Sequence, residues 1–201
     1  MRLLVPKGKG EYEYTAKRSR FLGRAVRVDS PEEGRAEIAR RREEYPDAAH
    51  VVYAFAVGPE SSLTLGMSDD GEPKGTAGRP VLEVVKGSGI TNILVTVVRY
   101  FGGTKLGTGG LVRAYTESAQ RTLAGLITEP LITEIEFTVG LPYPLYEPAL
   151  RILEEHRGKR FDEEFNTLVR LTGSVPEQDF ADFKEKIINL SRGEVDIIPR
   201  G

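Results

Sequence analysis

The segment that decides the fold is TNILVTVVRYFGGTKLGTGGLVRAYTESAQRTLAG, residues 91–125. Its first ten residues are apolar on both faces of an extended chain, which predicts a strand buried on both sides, with Arg99 at its exit. Residues 111–125 repeat apolar side chains with the 3.6-residue period of a helix. The loop between them carries glycines at 102, 103, 107 and 109. The segment therefore predicts a buried strand, a glycine-rich loop and the start of a helix.

The start of this helix, near Gly109 or Gly110, is a candidate anion-binding site. The first amides of a helix have no partner within the helix, and the helix dipole adds positive potential there. We therefore predict that a phosphate or carboxylate binds here. Alternatively, the glycines only permit a tight crossover, and Arg99 pairs with a nearby carboxylate. The predicted ligands are Arg99, Gly102, Gly103, Lys105, Gly109, Gly110 and Arg113.

A second loop, SDDGEPKGTAGRP at 68–80, has too much Gly and Pro for regular structure. We expect it to form the rim of the same site. The helix predicted to follow at 80–89 offers a second anion-binding start, to which Lys74, Thr76 and Arg79 contribute. The carboxylates of this loop can ligate Mg²⁺ or Ca²⁺, or can remain solvated and pair with its own cations. These carboxylates are Asp69, Asp70 and Glu72.

Three further residues are candidate members of the site. His50 opens a buried strand predicted at 50–57, where a histidine is either a hydrogen-bonded structural residue or part of a reactive group. Tyr100 and Tyr115, together with Phe101, can stack on nucleic-acid bases. The spacing of Tyr115 also suits the hydrophobic core of its helix.

The rest of the chain has clear local signals. Ser30 and Glu33 form a capping box, with Pro31 in the first turn, which predicts a helix over 30–47. The last third of the chain predicts the order βαββαβ of a ferredoxin-like domain. Its predicted elements are strand 134–139, helix 144–156, strands 159–165 and 167–173, a helix that starts with a capping box of Ser174 and Glu177, and strand 194–198.

Composition excludes several classes of protein. The longest apolar run, ILVTVV at 93–98, is far shorter than the roughly 20 residues of a membrane helix. The N-terminus lacks the apolar stretch of a signal peptide, so we expect a cytoplasmic protein. The chain has no Cys and only two histidines, His50 and His156, which excludes thiolate chemistry and argues against zinc. Neither a Walker loop nor GxGxxG nor GxSxG is present, and we predict no cofactor and no metal.

Charge is distributed unevenly along the chain. Residues 1–125 carry 19 Lys and Arg against 15 Asp and Glu, whereas residues 126–201 carry 9 against 15. The excess of cations in the first part is compatible with a polyanionic partner. The length of 201 residues suits one large domain or two small ones, and the change in charge favours a domain boundary near 126–132.

Four stretches resemble the IMPACT/YigZ family: SRFLG at 19–23, PDAAHVVYAFAVG at 46–58, SDDGEPKGTAGRPVLEV at 68–84 and VVRYFGGTKLGTGGLVRAY at 97–115. The resemblance implies an α+β fold with two domains. Residues 1–128 would form an α/β sandwich similar to the second domain of ribosomal protein S five. Residues 131–201 would form a ferredoxin-like domain similar to the last domain of elongation factor G. The VVY that follows His50 departs from relatives that have a polar residue or Cys there.

Three functions remain open from the sequence. The first is a non-catalytic RNA-binding or ribosome-associated module with a role in translation regulation, which binds phosphate through the glycine-rich loop. The second is a phosphate- or nucleotide-handling enzyme with a Mg²⁺-assisted site, by analogy with kinases that share the fold. The third is an adaptor that binds a protein partner through the acidic C-terminal domain.

Overall fold

The computed structural model describes residues 3–59 and 62–200. The chain divides into two compact units, Met1–Leu131 and Ile132–Gly201. Both units combine helices with strands, which confirms the predicted two-domain α+β fold. No helix among the described residues is long and apolar enough to cross a membrane.

The first unit is built around a five-stranded antiparallel sheet. The strands of this unit are β1 (Leu4–Pro6), β2 (Gly10–Ala16), β3 (Ser19–Arg27), β4 (His50–Val57), β5 (Thr64–Ser68), β6 (Ile93–Tyr100) and β7 (Thr128–Pro130). The sheet has the order β2-β3-β6-β4-β5, and β1 pairs with β7 in a separate ribbon. Strand β6 lies at the centre, and its residues from Ile93 to Arg99 are buried, as its two apolar faces predict.

Three helices cover the two faces of this sheet: α1 (Pro31–Glu44), α2 (Gly78–Gly87) and α3 (Thr108–Ala124). Val81 of α2 and Tyr115 of α3 pack in one core with Val95 of β6. On the opposite face, Ile38 of α1 packs with Leu94 in a second core. The two-sided apolar pattern of β6 is therefore explained by helices on both faces.

The topology brings the starts of α2 and α3 to one end of the sheet, the edge at which strands β5 and β6 finish. Strands β5 and β6 are both antiparallel to β4, so they run in the same direction. The loops that follow them, 69–77 and 101–107, therefore leave the sheet at one edge. Strand β3 is antiparallel to β6, which places the β2–β3 turn at this edge as well.

The helix boundaries follow local capping chemistry. The Ser30 hydroxyl accepts a hydrogen bond from the Glu33 amide at 3.1 Å, as the capping box predicts. The Glu33 carboxylate accepts from the Asp29 amide at 2.8 Å rather than from Ser30. Helix α2 begins at Gly78, two residues before the predicted Pro80. Arg99 is the penultimate residue of β6, at the exit of the strand as predicted.

The second unit has the predicted βαββαβ order. Its elements are β8 (Glu134–Leu141), α4 (Tyr143–Glu155), β9 (Lys159–Phe165), β10 (Val169–Pro176), α5 (Glu177–Leu190) and β11 (Ile198–Arg200). The antiparallel sheet has the order β11-β8-β10-β9, which is the ferredoxin-like arrangement. Phe137 and Phe183 pack against each other in its core, with ring centroids 4.9 Å apart.

Two predictions for this unit are wrong in detail. Ser174 does not cap a helix, because it lies inside β10, where its hydroxyl donates to the Glu134 carboxylate at 2.6 Å. Helix α5 begins at Glu177, with no side-chain cap at Pro176. The final strand covers Ile198–Arg200 instead of 194–198.

Candidate anion-binding site

The two loops that the sequence singles out meet in space. Together they line one cavity of about 370 Å³. The residues that line it are Glu72, Pro73, Arg99, Phe101, Lys105, Leu106, Gly107, Thr108 and Leu111. The loop at 68–80 thus forms part of the wall of a cavity at the start of α3, as expected from its composition.

The start of α3 has free amide donors. Gly107 precedes the helix with φ of 74°, and its carbonyl accepts from the Leu111 amide at 2.9 Å. The amides of Thr108, Gly109 and Gly110 donate no hydrogen bond to any other residue that the structure describes. No acidic residue lies in the first turn. This terminus therefore keeps the donors and the positive dipole end that attract an anion.

The predicted free cation Arg99 is instead part of a buried network. Its Nη1 donates to Glu72 Oε1 at 2.6 Å, and the Tyr115 hydroxyl donates to the same oxygen at 2.7 Å. Burial and the neighbouring Glu72 carboxylate raise the pKa of Tyr115. Tyr115 is fully buried and cannot stack on a base, so its core interpretation is the correct one.

Arg99 borders the cavity, but a nitrogen of its side chain that lacks a partner within the described chain is buried. Its side chain is only 7% exposed, and its Nε has no hydrogen-bond acceptor among the described residues. The guanidinium carbon lies 5.5 Å from the Phe21 ring centroid and 5.7 Å from that of Phe101. The charge of Arg99 is balanced by Glu72, but one of its N–H groups remains without a partner.

The expected second anion site at α2 is already occupied by the protein. The Asp69 carboxylate accepts from the amides of Gly75 at 2.7 Å, Ala77 at 3.1 Å and Gly78 at 2.8 Å. Thr76 is buried, and its hydroxyl donates to the Pro73 carbonyl at 2.7 Å. The prediction that this terminus binds an external anion with help from Thr76 is therefore wrong.

The three carboxylates of the 68–80 loop do not assemble as a metal site. Asp69 caps α2, and Glu72 binds Arg99. Asp70 accepts from the Val51 amide at 2.6 Å and pairs with Arg42. Among the residues described, no group of three or more His, Asp or Glu side chains is placed to hold a metal ion. The Mg²⁺ interpretation of this loop is therefore wrong.

His50 and Tyr100 lie at the same edge of the sheet but are held by the protein. His50 pairs in register with Arg99, and its Nδ1 donates to the Asp70 carbonyl at 2.7 Å. Its Nε2 lies 3.9 Å from Glu72 Oε2. The Tyr100 hydroxyl donates to Asp47 at 2.8 Å, and this hydrogen bond raises the pKa of Tyr100. Both side chains support the loops structurally.

Several exposed cations near this edge have no carboxylate partner among the described residues. They are Lys17, Arg18, Lys74, Arg79, Lys105 and Arg113. Lys105 lines the cavity itself, and Lys74 is the next residue in sequence after Pro73, which also lines it. Arg79 lines a separate groove of about 740 Å³ between α2 and α3. Helix α3 begins at Thr108, one residue before the predicted Gly109, and Arg113 lies in its second turn.

Lys17 and Arg18 are site candidates that we did not predict from the sequence. They form the β2–β3 turn, where both have positive φ. Gly102 packs directly on this turn: its amide donates to Ser19 Oγ at 3.2 Å, and a Cβ at Gly102 would lie 2.0 Å from the Arg18 carbonyl carbon. A basic pair in a hairpin turn is the signal for them, but pairing of that hairpin with β6 is needed to place it here.

The C-terminal unit exposes aromatic side chains at its sheet edge. Strand β9 is one of the two outer strands of its sheet, and Phe161 and Phe165 on it are 52% and 55% exposed. Phe165 packs edge-on against Tyr146, with centroids 5.6 Å apart. Binding of a protein partner by this unit stays a prediction.

The fold and this site define a two-unit α+β protein with a glycine-rich, cationic helix start beside a buried arginine. The Impact N-terminal domain matches residues 17–123, and a domain of unknown function, DUF1949, matches residues 139–194. The chain belongs to the IMPACT family.

Relatives match this chain over nearly its whole length. IMPACT family member YigZ of Escherichia coli strain K12 is 36% identical, over 97% of this chain and 96% of its own. IMPACT family member YvyE of Bacillus subtilis strain 168 is 33% identical, over 95% of this chain and 88% of its own. A crystal structure described as that of a hypothetical protein covers 100% of this chain and 98% of its own, with a TM-score of 0.79 and 35% identity.

Proposed function

We propose that this protein binds RNA, free or within the ribosome, as a non-catalytic module that acts in translation regulation. The observation that carries the proposal is the open start of α3, whose amides at Thr108, Gly109 and Gly110 have no acceptor in the described chain. Backbone amides at a helix start are among the groups that position nucleic-acid phosphates.

The charge balance at this edge supports a polyanionic ligand. The nearby carboxylates already have partners within the protein, because Asp69 caps α2, Asp70 pairs with Arg42 and Glu72 pairs with Arg99. The exposed cations Lys17, Arg18, Lys74 and Lys105 have no such partner among the described residues. Unpaired cations attract phosphate with little compensating loss of internal ion pairs.

An aromatic ring beside the cavity favours RNA over a simple anion. Phe101 lines the cavity and is 53% exposed, so one face of its ring is available for a base. Stacking of a base on an aromatic side chain contributes about 1–3 kcal/mol and is largely independent of sequence. We expect binding to single-stranded segments with weak sequence preference.

The test measures the salt dependence of RNA affinity by fluorescence anisotropy. For single strands, the logarithm of the binding constant falls with the logarithm of salt concentration by about 0.7 per phosphate neutralised. We expect the variant carrying Lys105→Ala and Arg113→Ala to bind more weakly and to reduce this slope by up to about 1.4.

The matched control is Lys86→Ala, because Lys86 lies on α2 and pairs with Glu83 at 3.6 Å. We expect this variant to retain the affinity and the slope of the parent. RNA affinity that does not change between low and moderate salt would refute the proposal. So would equal effects of the control and the double variant.

A further inference from the structure

We infer that the two-residue turn between β2 and β3, formed by Lys17 and Arg18, is a second phosphate contact of the proposed RNA-binding site. The ligand is then an extended strand held at two points, an oligonucleotide rather than a mononucleotide. The inference rests on the proposed function and specifies the class of RNA ligand. It follows from the charges of the turn, its conformation and its attachment to the loop that carries Phe101.

The two cations of the turn have no internal partner. Lys17 and Arg18 are both exposed, and neither pairs with a carboxylate in the part of the chain that the structure describes. Arg20, on the same hairpin, differs, because its Nε donates to Glu13 Oε1 of the paired strand at 2.8 Å. A phosphate can therefore bind at the turn without breaking an ion pair of the protein.

The conformation of the turn favours other residues. Ala16 pairs with Ser19, and the two residues between them have φ of 44° and 67°, as in a type I′ turn. This turn prefers Asn followed by Gly, because a residue with a Cβ is strained at positive φ. The hairpin would thus be more stable without Lys17 and Arg18. We therefore assign the two side chains to ligand binding rather than to folding.

The turn is fixed against the glycine-rich loop. The Gly102 amide donates to Ser19 Oγ at 3.2 Å, and Ser19 is fully buried. A Cβ on Gly102 would lie 2.0 Å from the Arg18 carbonyl carbon and 2.4 Å from the Ser19 nitrogen, so only glycine allows this approach. The two cations are therefore held at a defined place beside the loop at 101–107.

Phe101 connects this turn to the cavity at the start of α3. It precedes Gly102, and it lines the same cavity as Lys105, with 53% of its surface exposed. Proteins that bind single strands combine cations that follow the phosphates with aromatic rings on which the bases stack. A strand whose base stacks on Phe101 can place one phosphate at the turn and another near Lys105. A mononucleotide has its phosphate on one side of the base only, so it can occupy one contact but not both.

The first test is a series of oligouridylates of increasing length, from the mononucleotide to the dodecanucleotide. Affinity is measured by fluorescence anisotropy, with the mononucleotide as a competitor. We expect the affinity to rise at least about tenfold once the strand reaches the turn, the effect of an added charge-assisted contact. The salt slope should increase over the same lengths by about 1.4, the value for two more phosphates.

The second test is a variant that keeps the turn but removes its charge. Lys17→Asn combined with Arg18→Gly introduces the residues that the turn prefers, so we expect a melting temperature equal to that of the parent or a few degrees higher. The same variant should lose the tenfold gain with length and the added salt slope. Lys17→Arg combined with Arg18→Lys is the control, because it exchanges the two cations, and it should retain both.

Three results would overturn the inference. They are a mononucleotide that binds as tightly as the longest strand, a Lys17→Asn, Arg18→Gly protein with the affinity and slope of the parent, and an equal loss in the control. The proposed function would stand in each case if Lys105→Ala with Arg113→Ala still weakened binding. Failure of the folded parent to bind RNA of any length would overturn both.

Discussion

Glu72 is the residue on which the geometry of the site depends. Its carboxylate joins Arg99 of β6 to Tyr115 of α3, and His50 of β4 lies beside it. Glu72 thereby connects the loop at 68–80 to three elements of the first unit. A buried ion pair of this kind contributes modestly as a whole, but loss of one partner leaves an uncompensated buried charge.

We therefore expect Glu72→Gln to lower the free energy of unfolding by about 3 kcal/mol or more. The measurement is urea-induced unfolding followed by circular dichroism. Glu117→Gln is the control, because Glu117 forms an exposed pair with Arg121 on α3 at 2.8 Å. We expect that change to cost at most about 0.5 kcal/mol. A loss at Glu72 as small as the control would show that Arg99 is compensated by other groups.

At the scale of the element, helices α2 and α3 start at the same edge of the sheet but differ in whether the amides at their starts have an acceptor. Asp69 satisfies the amides of Gly75, Ala77 and Gly78 at the start of α2. No side chain does this for α3 among the described residues. The contrast explains why we assign external ligand binding to α3 alone.

Asp69→Ala is expected to destabilise the protein by about 1–3 kcal/mol, because three partly buried amides lose their acceptor. Thermal or urea unfolding measures this change. Ser30→Ala provides a comparison, since it removes a single cap hydrogen bond from α1 and should cost about 1 kcal/mol. If Asp69→Ala proves neutral, the amides must find other acceptors, and the start of α2 would be a second candidate for anion binding.

The sequence predicts elements where local signals agree. The cap at Ser30, the two-sided strand at 93–100 and the βαββαβ order are visible because spacing and burial coincide. Strand β2 is not visible in the same way, because GEYEYTA is mostly exposed. Ser174 has the spacing of a capping box, but pairing of β10 with β8 overrides it.

The site is less predictable than the elements. The glycine-rich loop and its cations are local features that the sequence shows directly. The pairing of Glu72 with Arg99 joins residues 27 positions apart and depends on sheet topology. For the same reason, three carboxylates within four residues are compatible with a metal site in sequence, although each one faces a different element of the fold.

At the scale of the whole molecule, ion pairs on both units hold carboxylate pKa values down. The pair with Arg24 lowers the pKa of Glu44 to about 2. The pKa values of Glu13, Glu134, Asp182 and Asp196 are also lowered by hydrogen bonds from neighbouring basic side chains. A carboxylate with a lowered pKa in the folded state stabilises the protein above its unfolded pKa, and this stabilisation is lost as the pH falls.

We therefore expect the free energy of unfolding to decrease from about pH 4.5 towards pH 2, where Glu44 becomes protonated. Urea unfolding at a series of pH values measures this decrease, with each unit followed separately if two transitions appear. In Arg24→Gln the free energy of unfolding should fall less steeply at acid pH, because the change removes the main cause of the lowered pKa of Glu44. An equally steep fall in that variant would contradict the role given to Arg24.

Asp69, which caps the start of α2, also has a practical use. The two Asp69 oxygens accept hydrogen bonds from three amides at 2.7–3.1 Å, so the first unit itself contains a carboxylate bound at a helix start. These nitrogen–oxygen distances are the ones to expect for a compound whose oxygens bind at the start of α3 in a soaked crystal. A carboxylate with the length of the aspartate side chain, extended by an aromatic group towards Phe101, is therefore a suitable first probe of the start of α3.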